Sequence, residues 1–483
     1  MGDGLKERTA KGLMWGAVNN LSTQLISALI GIVLGRLLVP AEYGMVGMLA
    51  IFTAIAGSLQ ESGFTAALTN LKEATHRDYN AVFWFSTLVS FTLYGVLYFS
   101  TPLIAGYFRQ PALIPLSRLV FASLVMAGIG IATAAYMFRN MMNREKAIIG
   151  FVALVGSGTV GIILALCGYS YWSLAWQQFV YITIVNIGRL HYVCWIPSLH
   201  IDLRPIREMF SFSSKILITN IINQVNNNVL SFIFGRLFNA GAVGNYTQAA
   251  KWNTMGHSLI SGTIQQVAQP VMASINEDGE GRQINVFRKM LRFTAFLSMP
   301  AMFGLALIAD FIVLLLGEKW VESVVLLRIL CISGAFLPIQ TLYQNLFISH
   351  GHSDRYMWCT LAQVVVQITV ILTFSTWGLQ VMVTAYTTML ILWICVWQTM
   401  AKQLIGLHFR DMVKDVLPFL LSAAFCVITA YYATLALSQP VGSLAARFTI
   451  ATILYIVVMK TARVKIFDEC MNYFLLHMRR KRK

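Results

Sequence analysis

The stretch Gly35-Arg36-Leu37-Leu38-Val39-Pro40-Ala41-Glu42-Tyr43-Gly44 has an echo 200 residues downstream, from Gly235-Arg236-Leu237 to Gly244. Asn20 matches Asn220 and Gln24 matches Gln224 at the same offset. Each Gly-Arg-Leu closes a long apolar run, near 13–38 in the first case and 212–237 in the second. Leu or Gly identities alone would be unremarkable. Amide and Gly-Arg positions shared at one offset point to an internal duplication.

Outward from these two runs the chain is apolar almost throughout. Further runs lie near 44–66, 81–103, 113–138, 148–168 and 172–196, and near 245–271, 290–316, 323–349, 356–377, 380–401, 415–437 and 443–462. A hydrocarbon core about 30 Å thick needs roughly 20 apolar residues per helix, so about fourteen transmembrane helices are expected. Composition agrees: 57% of the 483 residues are hydrophobic and 12% are charged, against about 25% charged in soluble domains. The first run is too long for the apolar core of a cleavable signal, and no small-residue cleavage site follows it. It is expected to remain as the first span.

Six runs fall within each repeat. An even number gives both halves the same orientation, as in transporters that rock two bundles about a site between them. The expected fold class is therefore an all-α integral membrane protein. It comprises two parallel-repeat six-helix bundles (1–200 and 201–404), two C-terminal transmembrane helices (405–463) and an amphipathic, basic cytoplasmic tail (464–483). The stretch 197–213, with Pro205 and two arginines, reads as the linker between halves.

The net charge of +16 does not point to nucleic acid, because the basic residues are distributed by side. Lys6, Arg8, Lys11, Arg139, Arg144, Lys146, Arg204, Arg207, Lys215, Arg282, Arg288, Lys289, Arg292, Lys402, Arg410, Lys414 and the final basic run fall on one side. Arg36, Arg109, Arg236, Lys319 and Arg447 fall on the other. Positively charged loops stay in the cytoplasm, so both termini are placed inside. The seven cysteines are scattered without a CxxC pair and read as small hydrophobes.

Side chains at i, i+3/i+4 and i+7 share a helix face. In the first span that spacing aligns Asn20, Thr23, Gln24, Ser27 and Gly31. In the seventh it aligns Asn220, Asn223, Gln224, Asn227 and Ser231, and in the eighth Thr247, Lys251, Thr254, Ser258, Ser261 and Gln265. Polar groups facing lipid are costly, so these faces meet protein or water. Helix–helix packing accounts for single Ser and Gly positions. The density of amides between 220 and 228 favours a water-filled cavity.

Charges inside the membrane are expensive and often functional. Glu61, Arg118, Lys251, Asp310 and Arg328 are such charges, and Arg36 and Arg236 close their spans. The excess of basic groups suits an anionic cargo such as a diphosphate. Snorkelling or structural pairing is the competing role for Arg36, Arg118 and Arg328. Lys251 stands on the polar stripe. The candidate cavity residues are thus Lys251, Arg36, Arg236, Arg118, Arg328, Asn220, Gln224, Asn227 and Gln24. Glu61 and Asp310 are candidates to carry a coupling proton or sodium ion, with pairing to an arginine as the alternative. No catalytic residue, metal site or cofactor is expected. There is no P-loop, HExxH or GxSxG pattern, and no clustered carboxylate pair. Ile466, Phe467, Cys470, Met471, Phe474, Leu475 and Met478 form an apolar face before the Arg479–Lys483 run, which suggests an interfacial anchor.

The Gly35–Gly44 stretch resembles the end of the first helix in polysaccharide-transport flippases of the multidrug/oligosaccharidyl-lipid/polysaccharide exporter superfamily. Glu61-Ser62-Gly63-Phe64 through Ala67-Leu68, Gly235-Arg236-Leu237 to Gly244-Asn245-Tyr246, and Leu316-Gly317-Glu318-Lys319-Trp320 resemble further elements of that family. The resemblance implies two six-helix bundles plus two helices in a bacterial inner membrane. It implies an undecaprenyl-diphosphate-linked oligosaccharide as cargo, moved by ion-coupled alternating access. Expected partners are that lipid-linked saccharide, membrane lipids and the polysaccharide polymerase and export machinery. A drug exporter of the same superfamily would favour organic cations and acidic cavity residues. A membrane polymerase or glycosyltransferase would need a large external loop or paired carboxylates.

Overall fold

A computed structural model describes residues 22–275, 280–437 and 439–469. Residues 13–21 of the first expected span, including Asn20, and residues 470–483 of the expected tail lie outside the described residues. Most of each expected span is helical over the described residues. The helices are α1 (Ser22–Leu37), α2 (Pro40–Gly47), α3 (Ala50–Glu61), α4 (Phe64–Asn70), α5 (His76–Phe108), α6 (Leu113–Ile129), α7 (Ile131–Arg139), α8 (Asn143–Leu166), α9 (Trp172–Tyr192) and α10 (Arg204–Leu237). They continue with α11 (Ala240–Ser274), α12 (Glu280–Leu307), α13 (Phe311–Leu316), α14 (Val321–Gly334), α15 (Leu337–Ser349), α16 (Ser353–Thr373), α17 (Leu379–Ile405), α18 (Phe409–Ala433) and α19 (Pro440–Thr461).

Each of the fourteen expected runs coincides with a helix or a short series of helices. Among the described residues, nine spans are long and apolar enough to cross a membrane, or ten if the bent pair α6–α7 counts as one. The helices α1, α9, α10 and α11 fall below that threshold: α1 is described over a short length, and the others carry many polar residues. Phe99 and Leu103 on α5 stand 81% and 77% exposed. Apolar side chains this open face lipid rather than water. The chain is a multi-pass membrane protein.

Packing divides the chain into two units, Met1–Thr247 and Gln248–Lys483. In the first, α8 lies on α9, α5 on α6, α6 on α9, and α10 on α3, α4 and α5. Local chemistry sets the element boundaries. Pro40 occupies the first turn of α2, where its missing N–H costs nothing. Thr75 opens α5 and both its N–H and its hydroxyl donate to Asp78 Oδ2, at 2.9 and 2.8 Å.

Two spans of this unit are broken. Ser62 and Gly63 take left-handed backbone angles, φ 45° and 72°, and separate α3 from α4. Gly130 separates α6 from α7, with a bend of 45°. A bend frees backbone carbonyls that lipid cannot satisfy. Polar side chains supply the donors here. Gln60 Nε2 donates to Leu124 O at 3.1 Å, Asn186 Nδ2 to Met126 O, Ser86 Oγ to Gly128 O at 3.1 Å and Arg189 Nη1 to Gly130 O at 3.2 Å.

The first turns of α2 and α11 meet reciprocally. A Cβ added at Gly44 would stand 1.7 Å from Ala240 O, and one at Gly244 would stand 1.7 Å from Pro40 O. Each carbonyl fills the place of the missing side chain, as in Cα–H···O contacts. Nearby, Gly235 of α10 lies against Phe108 and Met48, and Phe232 stacks on Tyr107 with ring centroids 4.9 Å apart.

In the second unit α12 is the organising helix, packed by α14, α18 and α19. Trp320, Tyr343, Phe347 and Trp397 are fully buried there. Tyr343 Oη donates to Gln398 Oε1 at 2.5 Å, and Gln340 Nε2 to Gln363 Oε1 at 2.9 Å. Ionic contacts secure the two C-terminal helices at both ends. On α18, Asp415 is 5% exposed and receives Arg288 bidentately, at 2.7 and 3.2 Å. On α19, Arg447 reaches Asp310 at 3.2 Å.

Candidate functional site

The polar stripe on α11 has a defined direction within its own unit. A Cβ at Gly256 would meet Leu305 and Met302 of α12, and one at Gly334 of α14 would lie 2.3 Å from Asn253 Oδ1. Trp252 meets Phe311 edge-on at 4.9 Å. Residues 252, 253 and 256 therefore form the packed face. At about 100° per residue, Lys251, Thr254, Ser258, Ser261 and Gln265 lie on the other side, turned away from α12 and α14. Thr254 and Gln265 are exposed, while Lys251, Ser258 and Ser261 are half-buried. Among the described residues Lys251 makes no ion pair.

Several polar groups of α11, on the stripe and off it, are buried without a protein partner. Gln248 is 1% exposed, and neither its Oε1 nor its Nε2 has a protein partner. His257 Nδ1, Ser261 Oγ and Trp252 Nε1 are likewise buried without one. Buried polar atoms in native proteins are overwhelmingly hydrogen-bonded to protein or ordered water. Such unpartnered atoms are concentrated on α11 among the described residues. The four-residue spacing of Gln248 and Trp252 was the available signal.

On α10, Asn220, Asn223 and Gln224 are half-buried, Asn227 is exposed, and Ser231 is 9% exposed. Asn228 Nδ2 donates to Gln224 O at 2.9 Å. Gln24 on α1 is half-buried and Arg36 is exposed.

The remaining charged candidates have definite partners. Arg236 donates to Tyr107 O at 2.6 Å, and its guanidinium lies 5.3 Å from the centre of the Tyr107 ring. Arg118 sits 4.4 Å over the Tyr98 ring. Arg328 Nη2 contacts both oxygens of Asp310 at 2.8 Å, so these two candidates come together with Arg447 in one ionic cluster. Glu61 Oε2 accepts from Gly63 N at 3.0 Å and Oε1 from Thr65 N at 3.1 Å. Its carboxylate caps the first turn of α4, where the helix presents unsatisfied N–H groups and a partial positive charge.

At the end of the first unit that carries the α4–α5 loop, the extended segment 193–203 is bound along α5. Asn80 Nδ2 donates to His200 O at 2.6 Å, and its Oδ1 accepts from Ser198 N at 2.9 Å. Trp84 Nε1 donates to Ser198 O at 2.8 Å, and Arg77 pairs with Asp202 at 2.6 Å. The Arg204 backbone N–H and then the Arg77 side chain hold the Asp202 carboxyl below its ordinary value. Much of the expected linker, 197–203, is thus pinned to the first unit.

A family model described as "Polysaccharide biosynthesis protein" matches residues 33–325. A Klebsiella pneumoniae protein described as an uncharacterized membrane protein in the cps region is 27% identical, the alignment covering 77% of this chain and 78% of that one. The Bacillus subtilis teichuronic acid biosynthesis protein TuaB is 24% identical over 88% of this chain and 89% of its own. The Escherichia coli lipopolysaccharide biosynthesis protein WzxC is 22% identical over 72% of each. Among solved structures, the lipid II flippase MurJ in an inward closed conformation superposes with a TM-score of 0.73 at 13% identity, covering 96% of this chain and 100% of that one. A multidrug resistance MATE family transporter of the MOP superfamily, inward-facing, gives 0.61 at 14% identity, over 87% and 100%. These two likenesses establish the fold alone.

Proposed function

We propose, from the premise that the chain belongs to the polysaccharide biosynthesis protein family, that it is a flippase for undecaprenyl-diphosphate-linked oligosaccharide. It would carry repeat units across the bacterial inner membrane by alternating access, both termini being cytoplasmic. The observation that carries this reading is the α11 stripe: a lysine without an ion-pair partner and a run of hydroxyls and amides, turned away from the helix's own packing. Such a face suits a diphosphate and a sugar, whose charge and hydroxyls need donors inside a membrane.

In this reading α1, α10 and α11 are spans whose polarity reflects a cavity, which brings the count to fourteen. Six fall in each half, and α18 and α19 are the added pair. Lys251, Asn220, Gln224, Asn227 and Gln24 remain the cavity residues we favour. Arg236 and Arg328 have structural partners that account for them, while Arg118 lies over the Tyr98 ring with its Nε buried and unpartnered. Glu61 and Asp310 are engaged by a helix terminus and by two arginines, which weakens them as coupling-ion ligands. The same engagement argues against an organic cation as cargo, because Asp310 is paired with two arginines and the Glu61 carboxylate is taken up by backbone N–H groups.

The test is genetic and biochemical. Deleting the gene in a host without a redundant homologue should strand lipid-linked repeat units on the cytoplasmic leaflet and abolish surface polysaccharide. Normal export from such a strain would overturn the proposal.

A further inference from the structure

The first unit contains a cavity of about 430 Å³ lined by His76, Tyr79, Tyr136, Cys194, Trp195 and Ile196. Ligand pockets run from roughly 300 to 1,000 Å³, so this one suits a small group. Its walls are aromatic. Tyr79 and Tyr136 lie 5.5 Å apart between ring centroids, Tyr79 and Trp195 6.1 Å, and His76 and Trp195 5.7 Å. Trp195 is 7% exposed, and its indole N–H is buried without a protein partner.

The cavity is a built one. One wall is the 193–203 segment, fixed to α5 by Asn80, Trp84 and Arg77, with His76 Nε2 3.1 Å from Ile196 O. Two arginines near it are engaged. Arg77 is on Asp202, and Arg139 donates to the carbonyls of Leu68, Leu71 and Lys72 at 2.5, 2.8 and 3.0 Å. What remains at the opening is an aromatic edge, Tyr136 half-buried and His76 exposed, backed by the buried Tyr79 and Trp195. It matches a pyranose ring, which has a C–H face that stacks on the negative face of an aromatic ring and hydroxyls around its edge.

We propose that this cavity is an entry subsite that binds a terminal sugar of the saccharide cargo before it reaches the α11 stripe. The inference rests on the flippase reading, which places the 71–76 and 193–203 segments on the cytoplasmic side, where the cargo is made. At about 430 Å³ the cavity has room for one terminal sugar. It therefore selects the end of the repeat unit and leaves the diphosphate to the membrane interior.

Cys194 provides the assay. In a chain with Cys167, Cys331, Cys359, Cys395, Cys426 and Cys470 replaced by alanine, alkylation of Cys194 by a fluorescent maleimide is followed in detergent. A panel of methyl glycosides is added at millimolar concentration, with sorbitol and undecaprenyl diphosphate as controls. At least one glycoside should slow alkylation saturably. Tyr136→Leu should raise the half-protecting concentration about tenfold, the loss of one stacking wall. Protection by no glycoside beyond sorbitol, equal protection by undecaprenyl diphosphate, or an unchanged Tyr136→Leu response overturns the proposal. In cells, Cys194→Trp fills the cavity and should cut export about tenfold at matched protein level; full export would also overturn it. The alkylation assay involves no transport, so it judges the cavity independently of the deletion test.

Discussion

Substituting Gly44 by alanine places a methyl group 1.7 Å from Ala240 O. Non-bonded heavy atoms settle at about 3.5–4.0 Å. The first turns of α2 and α11 would have to separate by well over an ångström, and α2 leads directly into α3 while α11 runs on to Ser274. Overpacking of this kind costs about 1–3 kcal/mol, and a separation this large belongs at the upper end. The helical preference of alanine over glycine returns about 1 kcal/mol. The net expectation is about 2 kcal/mol of destabilisation, roughly thirtyfold in the folding equilibrium.

Gly244→Ala should behave alike, because its Cβ meets Pro40 O at the same 1.7 Å. Gly57 and Gly95 supply the controls: both are helical, and a Cβ at either meets nothing within 4 Å. The assay is the thermal midpoint of the purified protein in one detergent. Gly44→Ala and Gly244→Ala should fall clearly below the parent, and Gly57→Ala and Gly95→Ala at or above it. The double substitution should cost less than the sum of the singles, since one separation relieves both contacts. A Gly44→Ala protein as stable as the Gly57→Ala control would refute the reasoning.

Lys251→Ala should reduce export about tenfold at unchanged protein level, through loss of a charged contact in a poorly hydrated site; unchanged export would remove Lys251 from the cavity. Asp415→Asn strips the carboxylate from beneath Arg288 and should cost about 3 kcal/mol. A lowered thermal midpoint and faster tryptic cleavage at Lys402 and Arg410 would report it, and an unaltered digest would count against the docking of α18 through this pair. Asp202 is depressed in the folded state, so its stabilising contribution is complete above the unfolded carboxyl value and is lost as pH falls through the folded one. Protease nicking of 193–203 should therefore rise in acid below about pH 4, and Asp202→Asn should nick readily at neutral pH and lose that dependence.

Periodicity made the apolar spans and the α10 and α11 stripes readable, because a helix writes its faces into sequence at a fixed spacing. It gave the face of a residue and not its partner. Arg288 read as one more basic residue beside a membrane, and nothing local connects it with Asp415, which lies 127 residues away. For Asp310 an arginine partner was one of two readings, and periodicity could not name it, since Arg447 comes from a helix 137 residues on. Glu61 was different, because its role is local. A carboxylate two residues before Gly63 and four before Thr65, at the start of a new helix, is a capping pattern. The apolar run around it obscured the break. Gly130 gave no warning either, since a lone glycine in an apolar run does not mark a bend. The donors that make the bend tolerable, Gln60, Ser86, Asn186 and Arg189, come from three other helices.

The Gly44–Gly244 contact has a further property. Residue 40 meets 244 while residue 44 meets 240, so each side of the junction presents the surface that the other receives. That is the form of an isologous interface, the way two identical subunits meet across a twofold axis. On the duplication reading, a half-length ancestor would have needed only one such glycine to bind a second copy of itself. Fusion of the two genes would then have turned a dimer interface into an internal seam. A mutation at either glycine in the fused chain now spoils one side of the seam, where in the ancestral dimer it would have spoiled both.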